Sequence, residues 1–246
     1  MSRQALARRL IPLIDLTGLA MQEDTATVQN LARRALTPAG PVACLCTWPA
    51  LASDAMAALA GTRIPVCVVV NFPAGTASAE ATVGEITRAL AQGAAEIDIV
   101  LPYTAVLDGD DAHPLALLRA ARAACGSRAL LKVILETGKF GQDHARLRQA
   151  ADLALDAGAD FLKTSTGKTA PGATPEAAAV LLDALVAAAA RGRHAGFKAS
   201  GGIRTMEDAR CYLALFEQRF GADSADPACF RIGASALLDE LLSALS

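Results

Sequence analysis

Long apolar runs are missing from this chain. The longest, Ala177–Ala190, is broken by Asp183, and a helical membrane span needs roughly 20 uninterrupted apolar residues. A basic excess is missing too. The 23 Lys and Arg against 25 Asp and Glu leave a formal net charge of −2, whereas nucleic-acid binding usually needs a positive surplus. Membrane and nucleic acid are therefore excluded as main partners, although a local positive site for a small anion is not. Histidines are few, and none of His113, His144 and His194 ends a strand candidate. The clustered imidazoles of a zinc enzyme are not there, so these three read as solvated surface side chains and no metal is expected. The six cysteines form no repeated CxxC unit, which removes the common zinc and disulfide frameworks. They read as buried small hydrophobes in a reducing, cytoplasmic setting. Arg3, Arg8 and Arg9 open the chain, but Pro12 and Asp15 follow at once where a signal peptide would need an apolar core, so no targeting segment is expected. No GxxxxGK[ST] loop occurs either.

Apolar residues make up 53% of the 246 positions and aromatics only 4%, with alanine supplying much of the apolar share. That composition suits helices packed closely on a sheet. Short apolar runs recur at Leu10–Asp15, Val42–Cys46, Pro65–Val70, Glu96–Val100, Ala129–Glu136, Asp160–Thr164, Gly196–Ala199 and Phe230–Gly233. Between them lie helical stretches such as Ala26–Leu36, Ala79–Gln92, Asp143–Asp156, Pro175–Arg191 and Met206–Phe216, and Ala236–Leu245 closes the chain. Thr174 before Pro175 marks a helix start, and Thr205 with Asp208 three residues on approximates a capping box. Gly93, Gly158 and Gly192 each end an alanine-rich run, where a left-handed stop needs no Cβ. Strand and helix alternate eight times without a linker or a break in composition, which predicts a parallel α/β architecture. The length is close to the roughly 250 residues of one (β/α)8 TIM barrel. One domain over residues 1–246 is the expectation.

Side chains alternate faces along a strand. Asp98 therefore lies opposite Ile97 and Ile99, Lys163 opposite Leu162 but on the face of Phe161, and Lys198 opposite Phe197 and Ala199. Lys132 and Glu136 share one parity, and Asp15 ends the first run. If the Ile, Leu and Phe parity packs on the outer helices, the ionisable groups point into the barrel. Enclosed charge is costly unless paired. For Lys132 and Glu136 a satisfied polar layer explains the pattern equally well. Lys163, Lys198 and Asp98 fall near the C-terminal ends of their strands, where barrels build active sites. A lysine amine titrates near 10.4 and is a poor nucleophile at neutral pH, but a neighbouring cation and partial desolvation disfavour its charged form. Two lysines and an aspartate facing one cavity thus point to carbinolamine and Schiff-base chemistry on a carbonyl compound.

An anion site is legible beside them. Thr164-Ser-Thr-Gly-Lys168 follows the sixth run, Ser200-Gly-Gly-Ile-Arg204 the seventh, and Gly233-Ala-Ser235 precedes the last helix. Glycine lets backbone N–H groups approach a phosphate, and a helix N-terminus adds partial positive charge.

The segments Leu13–Thr17, Asn71–Gly75, Glu96–Tyr103, Leu131–Gly138, Ala159–Lys168, Gly196–Arg204 and Arg231–Ser235, in this order and over nearly the whole chain, closely resemble deoxyribose-phosphate aldolase. Leu101-Pro-Tyr103 and Thr137-Gly138 look more like the enterobacterial-type branch than the shorter bacterial one. The resemblance implies that Lys163 is the Schiff-base lysine, Lys198 the lysine that perturbs it and Asp98 the carboxylate of the proton relay. It further implies phosphate contacts from Gly167, Lys168, Gly201, Gly202, Gly233 and Ser235, and a substrate pocket lined by Asp15, Thr17 and Cys46. The reaction it implies is reversible cleavage of 2-deoxy-D-ribose 5-phosphate to acetaldehyde and D-glyceraldehyde 3-phosphate, in deoxyribose catabolism and without metal or organic cofactor. The partner is then a small sugar phosphate; a homodimer is compatible with the sequence, which does not fix the assembly.

Three positions depart from the resembled pattern. Ala74 stands where histidine is frequent, Ala236 where a second serine is, and the sequence stops at Ser246 where that branch carries a tyrosine-ended tail. The first two are expected to shift affinity. The third predicts slow proton exchange at C2 of acetaldehyde while cleavage survives. Rival readings are another class I aldolase or a transaldolase, against which the paired Lys163 and Lys198 argue, and a catalytically silent sugar-phosphate-binding barrel, which would not need an activated amine.

Overall fold

Eight parallel strands close on themselves in chain order. In the computed structural model, which describes residues 2–245, they are β1 (Ile14–Thr17), β2 (Cys44–Thr47), β3 (Val66–Val70), β4 (Glu96–Val100), β5 (Leu130–Ile134), β6 (Phe161–Lys163), β7 (Gly196–Ser200) and β8 (Phe230–Ala234). Met1 and Ser246 lie outside the described residues, and with Ser246 the point on which the tail expectation turned. Every predicted run overlaps one strand, the first only at Ile14 and Asp15, and β8 pairs with β1 to complete a single (β/α)8 barrel. The surrounding helices are α1 (Arg3–Leu10), α2 (Thr25–Ala35), α3 (Ala52–Ala58), α4 (Ala79–Ala91), α5 (Tyr103–Leu107), α6 (Ala112–Cys125), α7 (His144–Asp156), α8 (Pro175–Ala189), α9 (Met206–Phe220) and α10 (Leu237–Ser243). A two-stranded antiparallel ribbon, Leu36–Thr37 with Gly40–Pro41, follows α2. Among the described residues, no helix is long and apolar enough to cross a membrane.

The first run differs from its expectation. Ser2 accepts from the Ala5 N–H and starts α1, and a 3-10 turn over Ile11–Leu13 follows, so the strand begins only at Ile14. The reason is periodicity. Ala7, Leu10, Ile11 and Ile14 are all fully buried, an i, i+3, i+4, i+7 pattern that serves a helix docking under the barrel better than a strand. The other start and stop signals behave as their chemistry dictates. Thr174 accepts from the Ala177 N–H, Thr205 and Asp208 form a reciprocal capping box, and Gly93, Gly158 and Gly192 adopt φ of +95°, +95° and +78°.

Strand parity sorts the barrel into two environments. Leu45, Val68, Ile97, Ile99, Leu131, Val133, Leu162, Phe197 and Ile232 pack outward against the helices in one continuous core. The opposite parity fills the interior with Asp15, Cys44, Cys46, Cys67, Glu96, Asp98, Lys132, Phe161, Lys163, Lys198 and Arg231, all buried. Phe161 is the aromatic exception inside. It lies level with Gly196 on the next strand, where any Cβ would run into its ring, and the Arg231 guanidinium sits 5.6 Å from the ring centroid.

Candidate active site

Four cations and three carboxylates interlock inside the barrel. Asp98 on β4 is the hub. Its Oδ2 accepts from Lys163 Nζ at 2.6 Å and from Lys198 Nζ at 2.7 Å, and its Oδ1 accepts from Lys132 Nζ at 3.0 Å and from the Cys67 thiol at 3.0 Å. Asp15 on β1 meets Lys198 at 2.5 Å, Lys132 at 3.3 Å and Arg231 at 2.6 Å. Glu96 pairs with Lys132 at 2.6 Å and Arg231 at 3.0 Å. Neighbouring registers make this convergence geometrical. Asp98 lies level with Lys132 on β5, and Lys163 level with Lys198 on β7.

The partners are unequally shared. Among the described residues, Lys132 has three carboxylates within ion-pair distance and Lys198 and Arg231 two each, whereas Lys163 has only Asp98. Burial alone would raise the carboxyl of Asp98, but Lys132, Lys163 and Lys198 hold it well below the usual carboxylate range. Asp15 is likewise held low against burial by Lys132, Lys198 and Arg231. Burial would lower the Lys198 ammonium, but Asp15 and Asp98 keep it well above the ordinary lysine range. Lys198 is thus held in its charged form beside Lys163.

Above this cluster opens a cavity of about 430 Å³. All six predicted phosphate-site residues, Gly167, Lys168, Gly201, Gly202, Gly233 and Ser235, line it, as does Thr17. Asp15 and Cys46 do not reach its wall; they lie fully buried beneath it, Asp15 as an ion-pair partner and Cys46 among the interior thiols. Lys163, Lys198 and Asp98 also sit below the floor, which Ser200 helps to form. The loops after β6 and β7 brace one another. Thr164 Oγ1 donates to the Ser200 carbonyl at 2.8 Å and accepts from its N–H at 2.9 Å. Gly201 and Gly202 adopt φ of +98° and +85°, which turns the chain so that its backbone faces the cavity. Gly233 is required for another reason. A Cβ there would lie 2.7 Å from Ser200 Oγ and 3.1 Å from Lys198 Cε. Lys168 reaches across the mouth to the Leu19 carbonyl, its ammonium 5.8 Å from the Trp48 ring centroid.

Lys132 and Glu136, read together from the sequence, separate. Lys132 joins the ion cluster, while Glu136, at φ +51°, turns upward to accept from Thr166 Oγ1 at 2.5 Å. Glu96, Arg231 and Cys67 were not singled out from the sequence. Parity could have found the first two, since Glu96 stands two residues before Asp98 and Arg231 two before Gly233. The three histidines are exposed. Of the cysteines read as buried, Cys44, Cys46, Cys67 and Cys125 are, but Cys211 is exposed on α9 and Cys229 half-buried.

The sequence model of the DeoC/LacD family of aldolases matches residues 9–241. A structure provisionally assigned as a deoxyribose-phosphate aldolase from Coccidioides immitis is 30% identical, with a TM-score of 0.82 over 96% of this chain and 86% of that one. A similarly assigned apo-form from Toxoplasma gondii ME49 is 26% identical, with a TM-score of 0.88 over 99% of this chain and 96% of that one. The deoxyribose phosphate aldolase of Aeropyrum pernix, described as having a unique tetrameric structure, is 28% identical, with a TM-score of 0.77 over 98% and 91% of the two chains. With nearly its whole length matched and its barrel superposing on these enzymes, the chain belongs to the DeoC/LacD aldolase family.

Proposed function

We propose that this aldolase cleaves 2-deoxy-D-ribose 5-phosphate reversibly through a Schiff base on Lys163. The observation that carries the reading is that two lysines share one oxygen of Asp98 beneath a cavity lined by two glycine-bearing loops and by Gly233 near the end of β8. Lys163, with the fewest carboxylate partners of the four cations, attacks the C1 aldehyde, and loss of water from the carbinolamine leaves an iminium. The iminium is an electron sink. Asp98, with Lys198 and a water, takes the proton of the C3 hydroxyl, and the C2–C3 bond breaks. D-Glyceraldehyde 3-phosphate departs, and the enamine left on Lys163 is protonated at C2 and hydrolysed to acetaldehyde. The loops bearing Gly167, Lys168, Gly201 and Gly202, together with Gly233 and Ser235 at the end of β8, hold the phosphate, whose binding orients the distant reacting end. A homodimer and a reducing, cytoplasmic setting belong to the same reading, the latter supported by six unbridged cysteines.

The test is an acetaldehyde-release assay on 2-deoxy-D-ribose 5-phosphate, run with wild type and Lys163→Ala. Wild type is expected to turn over and the variant to be silent. A wild type that forms a lysine adduct with acetaldehyde yet leaves this sugar phosphate intact would make it another class I aldolase. A wild type that does neither would make it a silent binding barrel.

A further inference from the structure

Asp98 can serve the two catalytic amines only if its carboxylate is held in one rotation. Both lysines approach Oδ2, and a turn about the Cβ–Cγ bond would exchange that oxygen for Oδ1. What fixes Oδ1 is a pair of donors behind the carboxylate. One is Lys132, which is itself drawn toward Asp15 and Glu96. The other is Cys67 on β3, fully buried, with Sγ 3.0 Å from Oδ1 and 3.3 Å from Lys132 Nζ. Cys67 enters from the strand on the far side of Asp98 from Lys163, so its contact opposes the pull of the lysines. Burial raises the Cys67 thiol, but hydrogen bonds from the Cys44 and Cys46 thiols and the nearby Lys132 ammonium outweigh it and bring the thiol down to about 5, which on its own would favour the thiolate. The approach of 3.0 Å to an ionised carboxylate decides between the two forms, because two anions at that distance repel. The sulfur keeps its proton and donates it.

We infer that Cys67 is a positioning residue for the aldol cleavage, its S–H orienting Asp98 so that one oxygen faces both Lys163 and Lys198. The inference rests on the proposed roles of those three residues. Cys67 touches neither amine and has no place in the cavity wall, so it acts through Asp98 alone.

Three variants test it: Cys67→Ala, Cys67→Ser, and Cys125→Ala as a control that removes a buried thiol on α6, away from both Asp98 and Cys67. Each is followed by its unfolding midpoint, by kcat and KM for 2-deoxy-D-ribose 5-phosphate, and by the pH dependence of kcat. Cys67→Ala is expected to lower kcat roughly tenfold, as loss of one buried donor to a charged acceptor does, with KM within about twofold and the pH profile displaced. Cys67→Ser, with an O–H in place of the S–H, is expected to recover most of kcat and the original profile. Cys125→Ala should behave as wild type in kcat. Cys67→Ala with unchanged kcat and profile, or Cys67→Ser falling as far as Cys67→Ala, would overturn the inference and leave Cys67 as packing. Failure of the wild type to cleave the substrate would instead count against the functional reading, so the two failures are separable.

Discussion

Asp15 on the first strand and Lys198 on the seventh meet at 2.5 Å inside the barrel, both fully buried. The contact is one of charge more than alignment, since Asp15 Oδ2 has no well-directed hydrogen bond. Its consequence is that Lys198 remains charged where burial would otherwise favour the neutral amine. Asp15→Asn keeps the shape and removes the charge, leaving Lys132, Lys198 and Arg231 one anion short. Breaking a buried pair in this way costs about 3–5 kcal/mol, read as a lower denaturant midpoint at neutral pH.

The pH dependence of that loss has a definite sign. The carboxyl of Asp15 is depressed in the folded state relative to its ordinary value of 3.8. Its contribution is therefore complete above that value and lost as pH falls through the lower, folded one. The gap in stability between wild type and Asp15→Asn should be constant from neutral pH down to about 4 and narrow below it. Denaturant titrations across this range check it; a gap that widens on acidification would show that Asp15 is not held ionised by its neighbours.

Lys198 is predicted to act on catalysis chiefly as a fixed positive charge beside Lys163. Lys198→Leu should shift the pH dependence of imine formation upward and lower cleavage by about 100-fold or more, since it also removes a member of the proton relay. Stopped-flow imine formation with acetaldehyde separates the two effects. An active variant with an unmoved profile would reduce Lys198 to a structural residue.

Lys168 lines the cavity and closes over its mouth onto the Leu19 carbonyl. If the phosphate binds there, Lys168→Ala should raise KM for 2-deoxy-D-ribose 5-phosphate roughly ten- to hundredfold, the range for a hydrogen bond to a charged group. Turnover of unphosphorylated deoxyribose should change little. Equal losses on both sugars would place the role of Lys168 in loop structure.

Much of this was legible in the sequence because barrel strands obey a period of two. Asp98, Lys163 and Lys198 interrupt aliphatic strands on the inward parity, and glycine-bearing loops follow β6 and β7, with Gly233 near the end of β8. The start of the barrel was harder. Leu10–Leu13 is apolar by either period, and its membership of a helix and a 3-10 turn depends on the cap at Ser2 and the burial of Ala7. Cys67 was hidden for a different reason. A small thiol in a valine-rich strand reads as filler, and only the approach of β3 to β4 reveals that its sulfur touches Asp98. The fate of Lys132 and Glu136 turned on the backbone, since the left-handed conformation at Glu136 lifts its side chain out of the ion cluster toward Thr166.

The central claim is that Lys163, and no other of the buried amines, forms the carbon–nitrogen bond. Reduction with borohydride in the presence of acetaldehyde, followed by peptide mass mapping, tests it directly. The account predicts a single ethyl group on the peptide carrying Lys163, absent in Lys163→Ala. An ethyl group on Lys198 or Lys132 instead, or labelling that persists in Lys163→Ala, would contradict it.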